Sequence, residues 1–172
     1  MYMSNDHQAQ WALALIYTVD SIKGITRLQK YAFLTAKRIK DIVNRGFYND
    51  WKPSHYGPFN KRLAQYICYL ESEDYISNET VSAGYDYTLG LVKITEKGKQ
   101  HIKQFIEDNK KYVNTIKKII EPYQSQHLID LLHDVYFSYP IYSINSKIKD
   151  KVGMDKFESD YFLNQNTNGY LN

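Results

Sequence analysis

Pro58-Phe59-Asn60-Lys61-Arg62-Leu63-Ala64-Gln65-Tyr66-Ile67-Cys68-Tyr69-Leu70 is followed by Tyr87-Thr88-Leu89-Gly90-Leu91-Val92-Lys93-Ile94 and then by Thr95-Glu96-Lys97-Gly98. The period of the pattern changes along this stretch, and that change decides the fold. Phe59, Leu63, Tyr66, Ile67 and Leu70 recur at helical spacing, and Lys61, Gln65, Cys68 and Ser72 take the other side. Pro58 suits the first turn of a helix running to about Asp74. From Glu79 to Ile94 the period falls to two, with Ala83-Gly84-Tyr85-Asp86 as the turn of a hairpin. Thr95 then caps a new helix.

Upstream, two helices are expected. Asn5 or Asp6 caps one over about His7 to Ser21, with Trp11, Leu15 and Val19 in its apolar stripe, and Gly24 ends it. Thr26 caps the next, from about Arg27 to Asn44. Its buried stripe is Leu28, Tyr31, Ala32, Thr35, Ala36, Ile39, Ile42 and Val43. Arg27, Lys30, Lys37, Arg38 and Asp41 lie on the opposite side, with Leu34 among them. Phe47 to Tyr56 reads as a loop with one short extended piece.

Downstream, the helix begun at Thr95 runs to Pro122. Ile102, Ile106, Asn109, Val113, Ile116 and Ile120 are spaced as alternating threes and fours along it. This heptad-like seam suits packing on a second copy of the chain. A last long helix covers about Tyr123 to Phe137. After Val152 the chain turns polar, with Phe157, Tyr161 and Phe162 expected to dock on the body. The fold class is therefore mainly α with a small β-hairpin. It is a winged helix-turn-helix core over residues 1–121 plus a C-terminal helical extension and polar tail over 122–172.

Composition bounds the function. The chain has 172 residues, 43% hydrophobic and 24% charged, and this balance excludes a disordered chain. The apolar run Trp11 to Tyr17 is too short to span a bilayer, and no basic leader precedes it. Cys68 is the only cysteine. A lone thiol forms neither an internal disulfide nor a cysteine zinc site, which points to the reducing cytoplasm. The 17 Tyr, 7 Phe and 2 Trp are read first as core material.

Net charge is only +3, yet Lys23, Arg27, Lys30, Lys37, Arg38, Lys40, Arg45, Lys52, Lys61 and Arg62 face only Asp41 and Asp50 in the same stretch. A local basic excess in a near-neutral chain suggests a surface for a polyanion. In a winged helix the third helix enters the major groove of double-stranded DNA and the hairpin touches the backbone. Asn60, Lys61 and Gln65 are then the base-reading candidates. Arg27, Lys30, Lys37, Arg38 and, at the hairpin base, Lys93 are the phosphate-holding ones. A homodimer would present two such helices to a symmetric site and regulate transcription.

No enzyme is expected. Gly-rich phosphate loops, a nucleophile elbow and a metalloprotease motif are missing. Cys68 and His55 lack a catalytic signature, so Cys68 reads as a small hydrophobe. His127, Asp130 and Asp134, with His133 nearby, read as the wet face of a helix rather than a metal site. No cofactor is implied.

Two motifs carry a resemblance. Arg27-Leu28-Gln29-Lys30-Tyr31 and His55-Tyr56-Gly57-Pro58-Phe59, with Ile94-Thr95-Glu96-Lys97-Gly98 after the hairpin, resemble the L-Q-K helix and Y-G-P helix start of the YwgA-like and SocA-like (Panacea) proteins. The likeness covers about Ile25 to His101. It implies a winged-helix-like fold and a prokaryotic, viral or plasmid setting. Some SocA-like proteins act as antitoxins or adaptors through protein contacts. The alternative function is therefore an interaction module, with a protein as partner and an apolar patch near Phe33, Leu34 and Tyr69.

Overall fold

In the computed structural model, residues 6–82 and 88–152 are described. The proposed hairpin turn at 83–86 and the aromatic residues of the tail lie outside them.

Helix α1 (His7–Val19) starts where the Asp6 carboxylate accepts from the Gln8 N–H at 2.9 Å. It ends earlier than the glycine signal implies, because Asp20 takes the left-handed turn at φ 63°. Strand β1 (Ser21–Lys23) follows, then α2 (Ile25–Arg38), whose N-cap is Gly24 rather than Thr26. At Ile39 the backbone turns extended, so α2 stops short of Asn44, and only one 3-10 turn, Val43–Arg45, continues it.

The link before the third helix is a hairpin. Strands β2 (Lys52–Ser54) and β3 (Gly57–Phe59) pair Lys52 with Phe59 and Pro53 with Pro58. Helix α3 (Lys61–Ser72) then begins at Asn60, not at Pro58, and its side-chain oxygen caps the Leu63 N–H. Strands β4 (Ile76–Ser82) and β5 (Thr88–Ile94) form the predicted hairpin, and β1 adds to the far side of β5, giving an antiparallel sheet in the order β1-β5-β4. The order helix, strand, helix, short hairpin, helix, longer hairpin makes the chain mainly helical with a small antiparallel sheet.

The long helix expected after Thr95 is two helices, α4 (Glu96–Asp108) and α5 (Lys110–Ile120). Asn109 breaks it at φ −116°, ψ 20° while its side-chain N–H donates to the Phe105 carbonyl. The break lets both helices fold back on α1. Ile102, Ile106, Val113, Ile116 and Ile120 are all buried in the chain's own core. The heptad spacing therefore marks an internal packing seam, not an exposed dimer face. Helix α6 (Leu128–Ser138) lies against α2 and β3, and its leucines join the same core as α1.

The hub is α1, apolar around most of its circumference from Trp11 to Ile16. Trp11 sits edge-on to Phe47, Phe105 and Tyr112, and its indole N–H donates to the Arg45 carbonyl at 2.9 Å. The aromatic excess is spent largely in this way, with Phe33 meeting Trp51, Tyr139 and Tyr142 in a second cluster. No helix among the described residues is long and apolar enough to cross a membrane.

Candidate functional site

Both short motifs meet at one place, and there they hold the fold together. The Gln29 amide donates to the Asn60 carbonyl at 3.1 Å and accepts from the Asn60 N–H at 2.9 Å. The Asn60 side chain caps α3 through one atom and donates to the Asp50 carbonyl through the other. Lys30, only 2% exposed, donates from Nζ to the Pro58 carbonyl at 2.9 Å. Burial pushes its ammonium down from the usual 10.5 to about 7.

These contacts correct the sequence reading. Lys30 and Asn60 are interior anchors and reach neither phosphate nor base. Arg27 is also committed: its guanidinium donates to the carbonyls of Tyr123 and Gln126, each at 2.9 Å, tying the approach to α6 onto α2. Lys93 is half-buried on the central strand and pairs with Glu79 at 3.0 Å. For Lys30 and Arg27 the sequence signal failed because the side of α2 opposite its apolar stripe meets the β2–β3 hairpin and the segment leading into α6, which arrive later in the chain.

Four predicted residues remain on the surface: Lys37, Arg38, Lys61 and Gln65. Lys61 and Gln65 project from the outer face of α3, whose other face buries Leu63, Tyr66, Ile67 and Leu70. Two further cations fall beside them. Arg62 is exposed and reaches the Gln8 side chain, and Lys52 stands opposite Phe59, just ahead of α3. Lys52 bonds Asp50 at 2.9 Å, which raises its pKa, with a smaller contribution from Tyr142. The Lys37 ammonium lies 5.2 Å from the centre of the same Tyr142 ring. Lys61, Lys52 and Lys37 thus follow one another from the start of α3, across the β2–β3 hairpin, to the end of α2. Arg38 is drawn aside, donating to the Tyr123 hydroxyl at 2.9 Å.

On its other flank α3 walls a cavity of about 310 Å³, shared with the start of α2 and the β4–β5 sheet. Thr26, Lys30, Ala64, Ile67, Asn78 and Val92 are among its lining residues. Cys68 is exposed at this flank rather than packed as a small hydrophobe. His127, Asp130 and Asp134 do not converge: no group of three or more His, Cys, Asp or Glu side chains with metal-binding placement occurs among the described residues.

The chain matches no protein-family model, no curated protein and no solved structure.

Proposed function

We propose that this protein binds double-stranded DNA through α3 and regulates transcription from the cytoplasm. The observation that carries the reading is the outer face of α3, where Lys61, Arg62 and Gln65 stand exposed at the head of the Lys61–Lys52–Lys37 tract. Exposed lysines suit phosphates, and Gln65 on the outer face of α3 suits an adenine edge. The L-Q-K and Y-G-P motifs are the grounds for grouping the chain with the YwgA-like and SocA-like proteins.

The test is fluorescence anisotropy on mixed duplex DNA at several salt concentrations. The comparison is a Lys37→Ala/Lys52→Ala/Lys61→Ala variant, all three positions being exposed. If each lysine neutralises one phosphate, the slope of log K against log salt becomes shallower by about 2.7. Absence of binding at low salt, or an unchanged slope, refutes the proposal.

A second reading, an interaction module with a protein partner, has one observation in its favour. Phe137, Ile141 and Ile144 are 84%, 65% and 62% exposed at the end of α6 and just beyond it. This is not the patch anticipated near Phe33 and Leu34, which are fully buried. Exposed apolar clusters of this kind mark contact surfaces. A Phe137→Ser/Ile141→Ser variant that keeps DNA binding but loses association with a co-purified partner would favour this role for the α6 end. Identical association by the variant would remove it.

A further inference from the structure

The cavity beside α3 has the construction of a ligand site. Its volume, about 310 Å³, lies at the lower end of the range of roughly 300–1,000 Å³ usual for small-molecule pockets. Its walls come from the start of α2, the β2–β3 hairpin, α3 and the β4–β5 sheet. Ala64 and Ile67 stand on α3, Val92 on β5, and Thr26 and Lys30 on α2. Ala64, Ile67 and Val92 give the α3 and sheet walls their apolar surface, with Glu71 at an exposed position of α3 and Asn78 on β4, while Thr26 and Lys30 stand at the start of α2.

Those polar groups are unspent. Helix α2 is 14 residues long and begins at the cavity with Gly24 as N-cap. No side chain caps it, and its first turn holds no acid. The leading N–H groups of a helix have no intrahelical acceptor and carry the positive end of its dipole. Thr26 is only 6% exposed and lines the cavity, and its hydroxyl has no hydrogen-bond partner among the described residues. Lys30 sits one turn further along. Its ammonium has three donors and spends one on Pro58, with no carboxylate in ion-pair range among the described residues. On the sheet side the Asn78 side-chain oxygen is buried without a partner. A buried cation, an unpartnered hydroxyl and a helix start facing one apolar hollow together ask for an anion with an apolar body.

We propose that this cavity binds a small amphipathic carboxylate. Its head lies at the start of α2 against Thr26 and the Lys30 side, and its apolar body lies between Ile67 and Val92. Asn78 meets a polar substituent at the far end. The headgroup gains charge-assisted hydrogen bonds from donors already aimed inward, so little reorganisation is needed. Because the ligand would touch both α3 and the base of the β4–β5 hairpin, it would fix the angle between them. The site itself stands on the cavity alone and does not require that α3 meet DNA.

The experiment uses the full chain, labelled with nitrogen-15, with no DNA present. Phenylacetate and hexanoate are titrated to millimolar concentration against the amide spectrum, with neutral phenylacetamide beside them. The carboxylates should shift the amides of Gly24, Ile25, Thr26 and Val92. Phenylacetate should bind roughly tenfold more tightly than phenylacetamide, the factor expected of about one extra charge-assisted hydrogen bond. Two variants locate the site while leaving the Lys30–Pro58 bond in place: Thr26→Val should weaken phenylacetate several-fold, and Ala64→Phe should abolish its binding while the rest of the spectrum stays dispersed. Equal binding of the amide, shifts centred elsewhere such as Phe137, unaltered binding by Ala64→Phe, or no shift at the four amides with either carboxylate would each overturn the proposal.

Discussion

Lys30 makes a prediction that depends on its burial alone. Its folded pKa is about 7, against 10.5 when free. The unfolded chain therefore holds more protons than the folded one between about pH 7 and 10.5, and stability must rise with pH across that window. Below pH 7 the full penalty applies, roughly 5 kcal/mol from the size of the shift. Between pH 6 and pH 9 the two-state titration of this one group returns about 2–3 kcal/mol. The window should close at pH 9, because Tyr66 and Tyr136, each pushed up to about 12 mainly by desolvation, begin to oppose folding once free tyrosine ionises near 10. Lys30→Met keeps the length of the side chain and removes the charge, but leaves the Pro58 carbonyl without its donor, a loss of about 1–3 kcal/mol. Met should then lead the parent by roughly 2–4 kcal/mol at pH 6 and match it within about 1 kcal/mol at pH 9. Urea unfolding followed by circular dichroism at pH 6, 7.5 and 9 measures both chains. Taking their difference removes every other titrating group. Parallel pH profiles would refute the reasoning, since they would mean that Lys30 is solvated or neutralised in the folded protein.

Three other substitutions probe the remaining architecture. Asn60→Ala removes the cap of α3 and the bond to the Asp50 carbonyl, and thermal or urea unfolding should register a loss of about 2–3 kcal/mol. Gly57→Ala meets two obstacles, a φ of 84° and a new Cβ only 2.6 Å from the Tyr136 ring; it should lose about 2–4 kcal/mol, and Tyr136→Leu in the same chain should give part of that back. Ile116→Ala should cost about 3 kcal/mol by opening a core cavity, yet sedimentation should find the same mass as the parent; a fall in mass would restore the α4–α5 seam as an interface.

Elements that carry their own signal were legible in the sequence. Pro58 and the Leu63 to Leu70 stripe place α3 within a few residues, and Thr95 marks α4 because its hydroxyl accepts from the Gly98 N–H where a cap should. Elements that exist only through a distant partner were not. β1 is three residues long, too short for a period of two to show, and it is a strand because Ile22 lies opposite Val92. β2 and β3 contain Pro53 and Pro58, which read as loop punctuation, yet the two prolines face each other across a hairpin. The break at Asn109 was hidden because the apolar period runs through it in phase. For the site, residue type was legible and address was not. A lysine or arginine on the polar side of a helix signals solvent only while nothing later in the chain meets that side, and β3 takes up Lys30 while the 123–126 segment ahead of α6 takes up Arg27.

The contact between Gln29 and Asn60 also bears on what a shared motif can mean. The backbone of Asn60 offers both an N–H and a carbonyl, and an amide side chain is the one group of that length that answers both. A glutamate there would lack the donor, and a lysine the acceptor. Two residues earlier, the Tyr56-Gly57-Pro58 turn delivers the Pro58 carbonyl to Lys30, and Gly57 allows Tyr136 to pass against the backbone. The spacing of L-Q-K and of Y-G-P follows from closing α2 onto the start of α3, so chains that share the pair share a core whatever they bind. Partner choice then has to reside outside the lock, in residues free to vary without opening it. In this chain those are the outer face of α3 with Lys61, Arg62 and Gln65, the Lys52–Lys37 edge, and the mouth of the cavity at Ala64 and Cys68. They surround the lock on two sides, so a ligand held at the start of α2 and a polyanion laid along the lysines would act on the same rigid joint.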